Sequence, residues 1–259
     1  MTSALSRHWP EYAIEAAGLG LFMASAGLFG VLLYHPTSPA VEAIPDPFAR
    51  RVFMALAMGL TASALIYSPW GQRSGAHFNP AVTLTFFRLG KIVGWDAGFY
   101  AVAQAAGGVI GIIVVDALMD GRLAHPAVRY VTTVPGAWGA GVAFAAEALI
   151  SFALMSVVLT VSNTPRRAGF TGLCAGALVA TWIILEAPLS GMSMNPARSL
   201  ASALPANLWT AFWIYLTAPA LGMLLAAELH LWLGRLPVLC AKLDHGGGHR
   251  CIFRCGYAS

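Results

Sequence analysis

The chain has 259 residues, 58% of them hydrophobic and 10% charged, with a formal net charge of +4. A soluble domain carries about 25% charged residues, so this composition excludes a water-covered globular surface and points to an integral membrane protein. The positive excess forms no basic cluster interleaved with aromatics, which excludes a nucleic-acid surface.

A membrane-spanning helix needs about 20 mainly apolar residues. Segments of that kind lie at 11–34, 50–68, 94–117, 139–161, 168–187 and 208–233. No small-residue cleavage site accompanies the first, so it is read as a retained span. Residues 78–88 and 194–204 are apolar but too short to cross. They fit half-helices, which survive at membrane depth only when buried in protein or lining a water-filled cavity. Placing both ends in the cytoplasm puts Arg7, Arg73, Arg88, Lys91, Arg166, Arg167, Arg235, Lys242, Arg250 and Arg254 inside, against Arg50, Arg51, Arg122 and Arg129 outside. That asymmetry predicts cytoplasmic termini.

The halves read alike. Glu15 in Ala13-Ile14-Glu15-Ala16 corresponds to Glu147 in Ala145-Ala146-Glu147-Ala148, and Asn79-Pro80-Ala81 to Asn195-Pro196-Ala197. Proline disfavours the helical region for the residue before it and suits the first position of a helix. Each tripeptide therefore predicts a chain reversal opening a short helix capped by asparagine. Three spans per half is odd, so the second half inserts upside down, with the functional site near the midplane. Two half-helices entering from opposite faces converge their positive N-terminal dipoles there. The caps use the side-chain carbonyls, leaving both amide NH2 groups to donate into the pore. Glu15 and Glu147 sit in apolar helices and need partners, for which the backbone N–H groups of the re-entrant loops are the expected source. Gln104 reads as a similar interior hydrogen-bonding residue. Glycines 107, 108, 111, 172 and 176 read as helix packing.

Ser74-Gly75-Ala76-His77-Phe78-Asn79-Pro80-Ala81-Val82-Thr83, with Asn195-Pro196-Ala197-Arg198-Ser199, resembles the paired signatures of the aquaporin, or major intrinsic protein, family. The likeness spans about residues 11 to 235. It implies an all-α membrane fold of six transmembrane helices and two re-entrant half-helices, as an inverted repeat of about 11–117 and 139–233. It also implies homotetramers in a lipid bilayer, and passive passage of water or small uncharged solutes such as glycerol without ions or protons. On this resemblance Arg198 is the filter arginine, and the remaining filter positions fall on Met58, Ile183 and Met192. That set matches neither the water type nor the glycerol type of filter. Ser199, Ala203 and Tyr215 look aquaporin-like, while Leu216 and Pro188-Leu189-Ser190-Gly191 look more like the glycerol facilitators. His77 lines the inner mouth or supports its loop, with a pH gate as the sharper alternative. Glu186, one turn beyond Ile183, either borders the outer vestibule and pairs with Arg198 or lies exposed at a helix end.

Residues 236–259 form a tail. Cys240, Cys251 and Cys255 lie in it; His245, His249, Cys251 and Cys255 are zinc-type side chains in a Gly-rich stretch, but their spacing matches no compact paired-ligand site;. The tail is therefore read as cytoplasmic, solvated, metal-free and without disulfides. No nucleophile–base set or phosphate loop appears, so neither bond chemistry nor a cofactor is expected. A gated ion or weak-acid channel and a non-conducting membrane scaffold are the other classes this composition permits.

Overall fold

The computed structural model describes residues 2–234, 237–248 and 250–257. Its helices are α1 (Thr2–Tyr34), α2 (Pro39–Ala43), α3 (Pro47–Tyr67), α4 (Pro69–Ser74), α5 (Pro80–Arg88) and α6 (Gly94–Leu118), then α7 (Gly139–Ser162), α8 (Thr171–Leu185), α9 (Ala187–Ser190), α10 (Pro196–Ala206) and α11 (Trp213–Leu233). Among the described residues no strand occurs, and α1, α3, α6, α7, α8 and α11 are long and apolar enough to cross a membrane. Helices α5 and α10 are the short ones, each opened by a proline behind an asparagine cap.

Element boundaries depart from the sequence reading at two ends. Helix α1 starts at Thr2 rather than near residue 11, running through Pro10. This added stretch reaches another element through His8, whose Nδ1 lies 2.9 Å from Asp96 Oδ1, and Glu11, just beyond it, pairs with Arg73 Nε at 3.0 Å. The last span starts at Trp213 rather than 208, because Asn207 (φ 46) and Ala211 (φ 48) take left-handed conformations that interrupt any helix there;.

The internal repeat is visible in the packing. Within each half the first and last spans lie together, α1 on α6 and α7 on α11, while α3 and α8 pair across the halves. Each half-helix also packs on the last span of the other half, α5 on α11 and α10 on α6. These close approaches need residues without side chains. A Cβ on Gly107 would sit 2.0 Å from the Ala16 carbonyl oxygen, and one on Gly176 would sit 2.4 Å from that of Gly59. Both distances are far inside van der Waals contact, so larger residues would force α1 from α6 and α3 from α8. Large apolar side chains such as Leu60, Val102, Leu118 and Trp232 point outward, as they must on helices facing lipid rather than water.

The C-terminal segment overturns the reading of a solvated tail. Cys240, Ala241, Lys242, Leu243, Asp244 and Phe253 are buried. The segment folds back across the end of the bundle that holds Gly75 and Lys91, without regular helix among its described residues beyond a single 3-10 turn, Gly246–Gly248. The Leu243 N–H donates to the Gly75 carbonyl at 3.1 Å, the Arg254 N–H to Lys91 at 3.0 Å, and Gln72 to Asp244 at 2.9 Å. Apolar residues between the Cys positions, invisible to a membrane-span search because they are few, supply the burial. His249 and Arg235 lie outside the described residues.

Candidate pore

The two re-entrant turns are built alike, residue by residue. Gly75 (φ 97) and Gly191 (φ 85) end α4 and α9 in the left-handed conformation. Ala76 (φ 55) and Phe78 (φ 45), like Met192 (φ 53) and Met194 (φ 53), then adopt positive φ although they carry side chains. Each such residue costs of order 1–2 kcal/mol, so the surroundings must hold the turn. Two buried carboxylates do so. Glu15 accepts bonds from the Ser74 hydroxyl at 2.7 Å, the His77 N–H at 3.1 Å, the Phe78 N–H at 2.6 Å and the Gln104 amide at 2.7 Å. Glu147 accepts from the Ser190 hydroxyl at 2.6 Å and from the N–H groups of Ser193 and Met194 at 2.7 and 2.8 Å. A tyrosine completes each clamp: Tyr100 donates to the Ser74 carbonyl and Tyr215 to that of Ser190, both at 2.6 Å.

Asn79 and Asn195 cap the half-helices from extended backbone. The Asn79 side-chain Oδ1 accepts from the Ala81 N–H at 2.9 Å, and that of Asn195 accepts from Ala197 and Arg198 at 3.0 and 3.2 Å. Pro80 and Pro196 open the two helices without a backbone donor to satisfy, and Ala81 and Ala197 are buried beside them. The amides are not wholly free, which corrects the sequence reading. Asn79 donates one amide N–H to the Met194 carbonyl at 2.7 Å, and Asn195 donates one to the Phe78 carbonyl at 2.7 Å. Each asparagine thus fastens its own half-helix to the opposite turn, leaving one amide hydrogen for anything in the lumen.

These residues border one cavity of about 370 Å³, running from Tyr34 and Arg51 to His77 and Leu243. Asn79, Asn195, Arg198, Met58, Ile183 and Met192 all line it. Arg198 is buried, and among the described residues its guanidinium makes only a 3.5 Å contact to the Ser202 hydroxyl. A cationic group so weakly engaged keeps most of its donors for solute. Gln104 and the two clamping glutamates stand behind the lining.

His77 is held on every side. One ring nitrogen lies 2.8 Å from the Ala241 carbonyl and the other 3.0 Å from the Thr83 hydroxyl. The ring is sandwiched between Phe86 and Phe253, at centroid distances of 5.2 and 5.4 Å. Glu186 departs from both readings offered for it. It is buried rather than exposed, does not border the cavity, and forms no ion pair with Arg198; neither carboxylate oxygen has a hydrogen-bond partner among the described residues. As the C-cap of α8, its carboxylate lies behind the wall, toward Ser190 and Glu147.

The sequence profile described as Major intrinsic protein matches residues 14–230. The chain belongs to the major intrinsic protein family. This family member is 35% identical over 178 residues to the glycerol uptake facilitator protein-like 6 of Lactiplantibacillus plantarum, covering 68% of the chain and 76% of that relative. It is 37% identical over 144 residues to aquaporin NIP1-3 of Oryza sativa subsp. japonica, covering 55% of the chain and only 48% of that relative. Its fold is that of the X-ray structure of the aquaglyceroporin from Plasmodium falciparum, with a TM-score of 0.71, 22% identity, and coverage of 86% of the chain and 95% of that structure.

Sequence reasoning missed the end of the cavity beside His77. Leu243 borders it and Ala241 and Phe253 grip His77, yet all three lie beyond the matched residues. The available signal was apolar Val238-Leu239-Cys240-Ala241 and Ile252-Phe253 in a tail otherwise rich in glycine and charge. Tyr34 and Arg51 at the opposite end were also missed as lining. Arg51 is turned by a bond from Nε to the Ile184 carbonyl at 3.1 Å, a contact between distant residues.

Proposed function

We propose that this chain is a passive transmembrane channel for water and small uncharged solutes of the glycerol kind, excluding ions and protons. The observation that carries the reading is the crossed pair of asparagine bonds at the cavity, where two half-helix N-termini meet end to end. A solute oxygen passing there meets one remaining hydrogen from each amide. Two positive helix ends repel cations and orient a water so that a proton-relaying chain is interrupted.

Arg198 acts as the outer selectivity residue, offering donors to a neutral solute and repelling cations. Met58, Ile183 and Met192 form the apolar side of the same constriction. An apolar wall suits the carbon backbone of a polyol and costs water hydrogen bonds it would otherwise keep. Glu15, Glu147 and Gln104 support the turns, and His77 supports the inner mouth. The multi-pass chain lies in the cell membrane with both termini cytoplasmic and works as a homotetramer with one pore per protomer.

The test uses purified protein in liposomes and light scattering after a sucrose jump, then after a glycerol jump. Accelerated shrinkage followed by accelerated glycerol entry is expected. Rapid shrinkage with glycerol entry no faster than in empty vesicles would restrict the pore to water. Ionic conductance in planar bilayers would sink the reading.

A further inference from the structure

The C-terminal segment carries a cluster of metal-ligating side chains that channel function leaves unexplained. Cys240 Sγ, a His245 ring nitrogen and Cys255 Sγ lie within 4.8 Å of one another. The Cys255–His245 separation is 3.9 Å, and Cys251 Sγ, outside that mutually close group, approaches Cys240 Sγ to 3.5 Å. We propose that Cys240, His245, Cys251 and Cys255 bind one zinc-type cation, and that the loaded segment locks the inner mouth of the pore.

Bond lengths support the assignment. Metal–sulfur bonds of about 2.3 Å in a tetrahedron place ligand atoms roughly 3.5–3.8 Å apart. Both short separations fall near that value, although the ligands are spread over sixteen residues, from 240 to 255. Three thiols and an imidazole, with no carboxylate among them, select zinc or a similar soft divalent ion over calcium or magnesium. Cys240 is buried and Cys255 exposed, so the site has an anchored side and an open one for entry. The His245 ring rests against Tyr257 at 4.2 Å between centroids, and the Tyr257 hydroxyl donates to the Ser162 carbonyl. That chain of contacts orients the imidazole from outside the ligand set, as supporting residues do in metal sites.

The same short segment makes its contacts at that mouth. Cys240 precedes Ala241, whose carbonyl lies 2.8 Å from His77, and Leu243 borders the cavity. Cys251 stands two residues before Phe253, which stacks on His77. Cys255 lies between Arg254 and Gly256, whose N–H groups donate to Lys91 and Leu239 at 3.0 and 2.7 Å. The stretches carrying Cys240 and Cys251 to Cys255 therefore cover the mouth together, and the ion would tie one to the other. Without it either stretch can peel away alone. An ion binding only the closed arrangement multiplies the closed-to-open ratio by about one plus its free concentration over Kd, or roughly tenfold at ten times Kd. The closure rests on the conduction reading; the metal site does not.

The full chain, purified under reducing conditions and freed of chelator, is titrated with Co2+. Expected are one ion per chain, intense visible bands of tetrahedral cobalt, sulfur-to-cobalt charge transfer, and displacement by Zn2+. Cys251→Ser combined with Cys255→Ser should remove the bands. A pale octahedral spectrum, no binding, or bands indifferent to these substitutions would overturn the site. Proteoliposomes are then formed with buffered Zn2+ or with chelator on both faces. Water permeability should be lower with zinc held near ten times Kd, by up to about tenfold if the metal-free segment is already mostly closed, and the doubly substituted protein should not respond. Phe253→Ala should keep the cobalt bands but lose the zinc response, because the plug no longer grips His77. Normal cobalt bands with equal flux in zinc and chelator would refute the closure alone. Vesicles impermeable in both conditions would count against conduction, with the cobalt spectrum still deciding the site.

Discussion

The turn at Asn79 and the turn at Asn195 share their backbone, carboxylate clamp, tyrosine brace and asparagine cap, yet they end in different environments. Aligned on the asparagines, His77 corresponds to Ser193, Thr83 to Ser199, and Val82 to Arg198. Val82 and Arg198 both line the cavity, so one register position is apolar on the inner side and cationic on the outer. His77 is covered by the C-terminal segment, whereas Ser193 bonds to Ser199 at 2.6 Å within its own turn. Duplication makes the meeting point symmetric, and the side chains that escaped duplication make the two mouths unequal.

Breaking the clamps should have the largest effect. Glu147→Ala strands a hydroxyl and two backbone N–H groups, at about 1–3 kcal/mol for each buried donor left unpaired. Thermal unfolding in detergent should fall by roughly 10 °C or more. Glu15→Ala should be at least as severe, because the Gln104 amide is stranded too. A shift under about 2 °C for either would mean the carboxylate does not hold its turn.

Arg198→Val copies the inner register position onto the outer side and sharpens the contrast directly. One unit charge about 4 Å from a passing cation contributes about 4 kcal/mol at an effective dielectric of 20. Proton or cation flux into vesicles should rise by at least about tenfold while the protein remains folded. Flux at the wild-type level would place the barrier elsewhere, at the two half-helix ends.

The asparagines should show the smallest and most symmetric effect. Asn79→Ala and Asn195→Ala each lose a cap and one crossed bond, together about 1–2 kcal/mol. Each should lower the unfolding temperature by roughly 4 °C, with Asn195→Ala the larger by a small margin because Asn195 caps two N–H groups and Asn79 one. A shift at one position more than twice that at the other would show that the crossed bonds are not equivalent.

Much of this was legible from residue order. Six spans, two half-helices and the inverted plan follow from apolar length and the repeated tripeptide, because a membrane leaves few ways to satisfy a backbone. The proline after each asparagine specifies where a half-helix starts, so Asn79 and Asn195 were found as caps. What those amides bond to was not legible, since Met194 and Phe78 reach them only when the halves interlock. Glu186 misled for a related reason: helix spacing gave its turn and not its direction, which packing sent behind the wall. The tail misled most. Its cysteines and histidine have no compact spacing, and only a fold that carries 240 beside 255 makes them neighbours.

By itself the sequence determined a duplicated membrane bundle and the position of its two half-helix starts. Both follow from local rules: hydrophobic length, proline geometry and side-chain capping. The tertiary structure decided which donors remain for a solute, which carboxylate stays unpartnered, and what covers the inner mouth. Those outcomes depend on contacts between residues far apart in the chain, such as Asn195 with Phe78 and Ala241 with His77, and no local rule encodes them.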